Sequence, residues 1–237
     1  GPGRPLFRGA HGSCRRCCHP SAVRVKFCGI TNLEDAECAV EVGAWAIGLN
    51  HWPGSPRRVD PEAASEIAAA VRRRIELVGV FVNQPLDEIA RAVEDEHLTM
   101  VQLHGDEGLS FCNEVARRTG AKVIKALRVR STADVEAARA YRTDFHLFDA
   151  YTPAAPGGTG ESFDWELVGQ RTTKVPAILA GGLRPDNVAE AIAVARPFAV
   201  DVASGIERAP GRKDHNLMAD FVRRARAAAQ SLAGAPR

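Results

Sequence analysis

From Val23 onward one pattern recurs eight times: a short apolar, β-branched run, a turn, and a segment with apolar residues at helical spacing. Strands are expected at 24–28, 44–49, 76–81, 100–103, 122–126, 146–149, 177–180 and 199–202. Helices are expected at 33–42, 61–73, 86–95, 109–118, 132–140, 185–193 and 214–228, with a short sixth helix at 164–166. Thr31-Asn32 can cap the first helix, and Asp60-Pro61 offers an N-cap followed by proline at the first helical position. Asp214 can cap the last helix, whose Leu217, Phe221 and Ala225 share a face. Strands alternating with helices run parallel, joined by right-handed crossovers. Eight such units predict an α/β fold, a single-domain (β/α)₈ TIM barrel over 23–232. The alternative is a doubly wound open sheet. The first strand, however, leads into "CGITNLED", which lacks the G-x-G-x-x-G dinucleotide fingerprint.

Residues 1–22 lack this periodicity. They are rich in Gly, Arg, Pro and Cys and read as a disordered N-terminal extension. "CRRCCH" within them resembles half a zinc site, but no second pair of ligands follows. No His/Asp/Glu cluster has metal-ligand spacing, so neither metal nor cofactor is expected. The formal net charge of +2 argues for no nucleic-acid or acidic-membrane surface. No apolar run approaches the about 20 residues of a membrane helix, and no secretory signal is visible, so a cytoplasmic protein is expected. The six cysteines do not form the framework of a secreted domain. Cys38 and Cys112 fall on helices and are expected to pack.

In such barrels the active site lies at the C-terminal ends of the strands. Cys28 ends strand one in "VKFCGIT". A thiol there is either inert filler or a group tuned into a nucleophile or base. Strand two leads to "SPRR", where Arg57 can hold a carboxylate two-pronged and Arg58 is expected in solvent. Strand four ends in "QLHG", where His104 lines the pocket or caps a turn. Strand six ends in Asp149, either a buried general acid or a loop cap. Asp201, in an apolar strand, can hydrogen-bond within the barrel, and Lys26 and Lys125 are read as inward-pointing. Gly181-Gly182 and Ser204-Gly205 follow strands seven and eight, where barrels often bind phosphate, opposite a loop containing Gly158 and Gly160. The expected partner is thus a small phosphorylated substrate.

Taken together, "KFCGIT", "SPRR", "GVFVN", "VQLHG", "FDA", "GGTGESFDW", "AGGL" and "FAVDVASGIE" resemble, in order and spacing, the phosphoribosylanthranilate isomerases of tryptophan biosynthesis. The resemblance runs from Val23 to the last helix. It implies a barrel without metal or cofactor that carries out an Amadori rearrangement of N-(5-phosphoribosyl)anthranilate. It also implies Cys28 as general base, Asp149 as general acid, Arg57 on the anthranilate carboxylate, and phosphate held by the loops after strands six, seven and eight. A monomer or a homodimer is expected. The sequence departs from the family pattern at His51-Trp52, where Phe-rich sequence is frequent, at Ala150, and at Ala203, where serine is common. A related histidine-pathway isomerase would carry an aspartate at the end of strand one, where Cys28 stands. A non-catalytic phosphate-binding barrel would need neither Cys28 nor Asp149.

Overall fold

The computed structural model describes residues 23–150 and 165–234. Eight parallel strands close a barrel in chain order: β1 (Arg24–Cys28), β2 (Ala46–Asn50), β3 (Glu76–Phe81), β4 (Met100–Leu103), β5 (Lys122–Val129), β6 (Phe145–Ala150), β7 (Ala177–Ala180) and β8 (Ala199–Val202). β1 pairs with β2 on one side and β8 on the other, which excludes the open sheet. The connecting helices are α1 (Leu33–Glu41), α2 (Pro61–Val71), α3 (Leu86–Asp95), α4 (Leu109–Thr119), α5 (Thr132–Ala137), α6 (Trp165–Gly169), α7 (Val188–Ala195) and α8 (His215–Gly234). None of the described helices is long and apolar enough to cross a membrane.

Strand alternation sorts the side chains into two apolar layers. Val25, Phe27, Ile47, Leu77, Val101, Phe148 and Val200 face the helices. Ala46, Val78, Met100, Ile124, Leu147, Ile178 and Ala199 fill the barrel. Trp45, Phe145 and Phe198 stack edge-on or tilted at one end of the barrel, with the Arg24 guanidinium 4.6 Å from the Phe198 ring. That end is closed by packing, which leaves the opposite, C-terminal end for chemistry.

The expected caps form. The Asn32 side chain accepts from the Asp35 N–H at 2.9 Å, Asp60 accepts from Glu62 at 3.0 Å, and Asp214 accepts from Asn216 and Leu217. Helix α7 starts three residues later than its periodicity predicts. Residues 184–187 close a turn first, in which Asn187 Oδ1 accepts from the Arg184 N–H at 2.8 Å. β5 runs on to Val129, which pairs with Ala150. Lys125 is a correction: it faces the helix layer, because Ile124 and Ala126 take the inner positions. The sequence also hides a hairpin beyond β8, formed by β9 (Glu207–Ala209) and β10 (Arg212–Lys213).

Candidate active site

The inner positions at the C-terminal strand ends surround one opening. Cys28, His104, Asp149, Gly181, Gly182 and Ser204 line a cavity of about 440 Å³, together with Gln102, Arg128, Leu183, Asp201 and Ala203. A larger hollow of about 880 Å³ lies on the outer surface against α3 and the end of α4, and no residue at a C-terminal strand end lines it. The barrel mouth is therefore the candidate site.

Around Cys28 the barrel carries charge. Inside it, Lys26 Nζ sits 3.0 Å from both Asp201 oxygens. Burial pulls this ammonium down, but Asp201 and Cys28 together outweigh it and hold Lys26 above its ordinary range. Gly48 is the register partner of Cys28 on β2. A Cβ built on Gly48 would lie 3.0 Å from Cys28 Sγ and 3.2 Å from Lys26 Nζ. The glycine thus makes room for thiol and ammonium together. Burial pushes the Cys28 thiol above its ordinary value, opposed by the positive charges of Lys26 and Lys213.

Asp149 is half-buried rather than enclosed. Its Oδ2 lies 3.2 Å from His104 Nε2, and His104 Nδ1 lies 2.9 Å from the Gln102 amide nitrogen. Arg128, the register partner of Asp149 on β5, reaches the same cavity.

Arg57 is not among the lining residues; it lies against Gly29, the residue after Cys28, in a fork-to-fork pair with Glu207: Nε at 2.9 and 3.1 Å, Nη2 at 2.8 Å. Glu207 also accepts from Lys213 Nζ at 2.9 Å and from the Gly211 N–H at 3.2 Å. Lys213 Nζ in turn donates to the carbonyls of Cys28 at 2.7 Å and Ala203 at 3.1 Å. Burial raises the Glu207 carboxyl, but Arg57 and Lys213 outweigh it and hold the group below the usual carboxylate range. The sequence reading missed Glu207 and Lys213. "SGIERAPGRKD" reads as loop, and only the folded hairpin brings both side chains back beneath Arg57.

Gly181 and Gly182 both take positive φ, +87° and +64°, a region that strains other residues. Gly205 stands behind the wall: a Cβ there would meet the Leu183 carbonyl oxygen, so the loops after β7 and β8 touch through this glycine. Gly158 and Gly160 lie outside the described residues, as does the "CRRCCH" segment. No group of three potential metal ligands occurs among the described residues. Cys38 and Cys112 are buried free thiols, and Arg58 is exposed, as the sequence predicts.

The geometry has counterparts. Residues 25–224 match the family model described as N-(5'-phosphoribosyl)anthranilate (PRA) isomerase. The N-(5'-phosphoribosyl)anthranilate isomerase of Geobacter sulfurreducens is 49% identical over 204 residues, covering 86% of this chain and 98% of the relative. The chain belongs to the N-(5'-phosphoribosyl)anthranilate isomerase family. Its members are aldose–ketose isomerases, and this chain is an enzyme of that kind. Two solved phosphoribosylanthranilate isomerase structures share the barrel at a TM-score of 0.75 and 40% identity, each aligned over 86% of this chain and 99% of the relative. One shows monomers of the dimeric enzyme of Thermotoga maritima; the other is a complex with reduced 1-(o-carboxyphenylamino)-1-deoxyribulose 5-phosphate.

Proposed function

We propose that this phosphoribosylanthranilate isomerase converts N-(5-phosphoribosyl)anthranilate to 1-(2-carboxyphenylamino)-1-deoxyribulose 5-phosphate, in tryptophan biosynthesis, with Cys28 as general base and Asp149 as general acid. The observation that carries the reading is that these two groups, at the ends of β1 and β6, line the same cavity. Asp149 donates its proton to the furanose oxygen. The bond from that oxygen to C1 breaks, its electron pair stays on the oxygen, and the nitrogen lone pair forms the C1 iminium. The proton on C2 is now acidic. Cys28 as thiolate removes it, the C2 electrons form the enolamine, and tautomerisation gives the ketone. Each positioned proton transfer contributes roughly 10²–10⁴-fold.

Arg57 holds the anthranilate carboxylate. The glycine-rich turns after β7 and β8, with Ser204 and with Gly158 and Gly160, hold the phosphate. Anchors at both ends of the substrate keep C1 and C2 between base and acid. Support comes from the related enzyme that binds the reduced product analogue. Residues 23–232 act as one catalytic domain, with 1–22 as an extension outside it. The enzyme works as a monomer or homodimer in the cytoplasm, where Cys28 stays a free thiol.

The test generates phosphoribosylanthranilate in situ and follows loss of its fluorescence. Rapid decay is expected for the wild type, and none above background for Cys28→Ala or Asp149→Asn with unchanged circular dichroism. Wild-type turnover in either variant removes that residue's role.

A further inference from the structure

Gln102 is fully buried on β4 and faces the barrel interior. Its register partners are Val80 and Ile124, both apolar, so packing alone favours a leucine or methionine here. Its Oε1 is buried without a partner, and its amide nitrogen reaches His104 Nδ1 at 2.9 Å. An amide N–H₂ only donates, so Nδ1 must be the accepting nitrogen. The ring proton of neutral His104 is then on Nε2, which faces Asp149 Oδ2 at 3.2 Å. The Arg128 side chain, although in register with Asp149, makes no hydrogen bond among the described residues, so His104 is the described side chain that orients this carboxyl.

We infer that Gln102 and His104 are positioning residues for the acid: Gln102 fixes the Nε2–H tautomer of His104, and that N–H holds Asp149 through Oδ2. This inference rests on the proposed role of Asp149 as acid. Oδ2 is occupied as an acceptor, so the transferable proton resides on Oδ1 and faces the substrate. When it passes to the furanose oxygen, the new carboxylate keeps a donor already in place, with no reorganisation during the step. His104 neither gains nor loses a proton in this scheme. The buried orphan oxygen of Gln102 is the cost of fixing a tautomer, and histidine tautomers are commonly set by what the other ring nitrogen meets.

The experiment is long-range ¹H–¹⁵N correlation of the imidazole nitrogens in the whole protein, with the His104 signals identified by their loss in His104→Asn. The wild type is expected to show His104 as the Nε2–H tautomer. A carboxylate only accepts, so Gln102→Glu is expected to draw the proton to Nδ1. Gln102→Met, similar in length but without a donor, is expected to lower kcat about tenfold, the upper end of what a hydrogen bond between neutral groups contributes, with KM within about twofold. An Nδ1–H tautomer or an imidazolium in the resting wild type overturns the inference, and so does wild-type kcat in Gln102→Met. Asp149→Asn, assayed alongside, separates the two readings. Wild-type turnover there sinks the acid role itself, whereas an inactive Asp149→Asn beside an unaffected Gln102→Met sinks only the positioning.

Discussion

At the scale of single residues, what could be read in advance was position, and what could not was partnership. Cys28 and Asp149 stand out because each is a reactive side chain at the C-terminal end of an otherwise apolar strand. The half-exposure of Asp149 and its contact with His104 depend on β4 and β6 flanking β5, which no local pattern encodes. His51 looked like a departure, yet its ring stacks on Phe81 at 4.8 Å and faces Glu96 at 3.1 Å, so it fills a structural place beside β3. Two predictions belong here. Burial sets the Cys28 thiol above its ordinary value. Below that pKa the thiolate fraction rises tenfold per pH unit, so the alkylation rate of Cys28 should climb log-linearly past the usual thiol pKa of about 8.5. A plateau below that value would contradict the burial argument. Gly48→Ala should push the thiol aside by a few tenths of an ångström. We expect kcat to fall about tenfold with the fold intact, given that a 1 Å misplacement costs about 10²-fold. Unchanged kcat would mean that the thiol's position tolerates the intrusion.

At the scale of elements, the strands were legible because their apolar alternation is continuous, and the β9–β10 hairpin was not because it is three residues against two. Its turn is marked, with Pro210 followed by Gly211 at φ +74°, the arrangement of a type II turn. What the turn accomplishes becomes visible only in three dimensions. Glu207 meets two cations, Arg57 and Lys213, and so leaves one positive charge unbalanced at this edge of the site. The substrate carboxylate would balance it. Glu207→Gln should release Arg57 from its two-pronged hold and raise KM about tenfold while kcat changes less, since binding rather than proton transfer is weakened. Steady-state kinetics decide this. An unaltered KM would show that Arg57 is positioned without the hairpin.

At the scale of the molecule, two buried carboxylates organise the C-terminal mouth of the barrel. Glu207 joins the ends of β1, β2 and β8 through Lys213 and Arg57. Glu107 does the same for the next three strands: it accepts from the Asn83 N–H at 2.8 Å beyond β3, the Gly105 N–H at 2.9 Å beyond β4, and Lys125 Nζ at 2.8 Å on β5. This is why Lys125 faces away from the barrel interior, and why its role could not be assigned from strand parity. Burial raises the Glu107 carboxyl, but Lys125 and the backbone donors outweigh it and hold the group below its ordinary value. The sign follows: as pH falls below about 4.3, the unfolded chain takes up protons before folded Glu107 does. The stability that Glu107 and Glu207 contribute is complete above that pH and is lost as pH falls through their depressed folded values. Glu107→Gln leaves the buried ammonium of Lys125 without its counter-charge, a loss of about 3–5 kcal/mol. Urea unfolding at pH 7 should therefore show a markedly less stable variant. The same titration carried down through the acid range should show a shallower loss of stability than in the wild type, because one of the protonating carboxylates has gone. A variant as stable as the wild type at pH 7, or with an equally steep acid limb, would mean that the mouth is held by packing rather than by this charge.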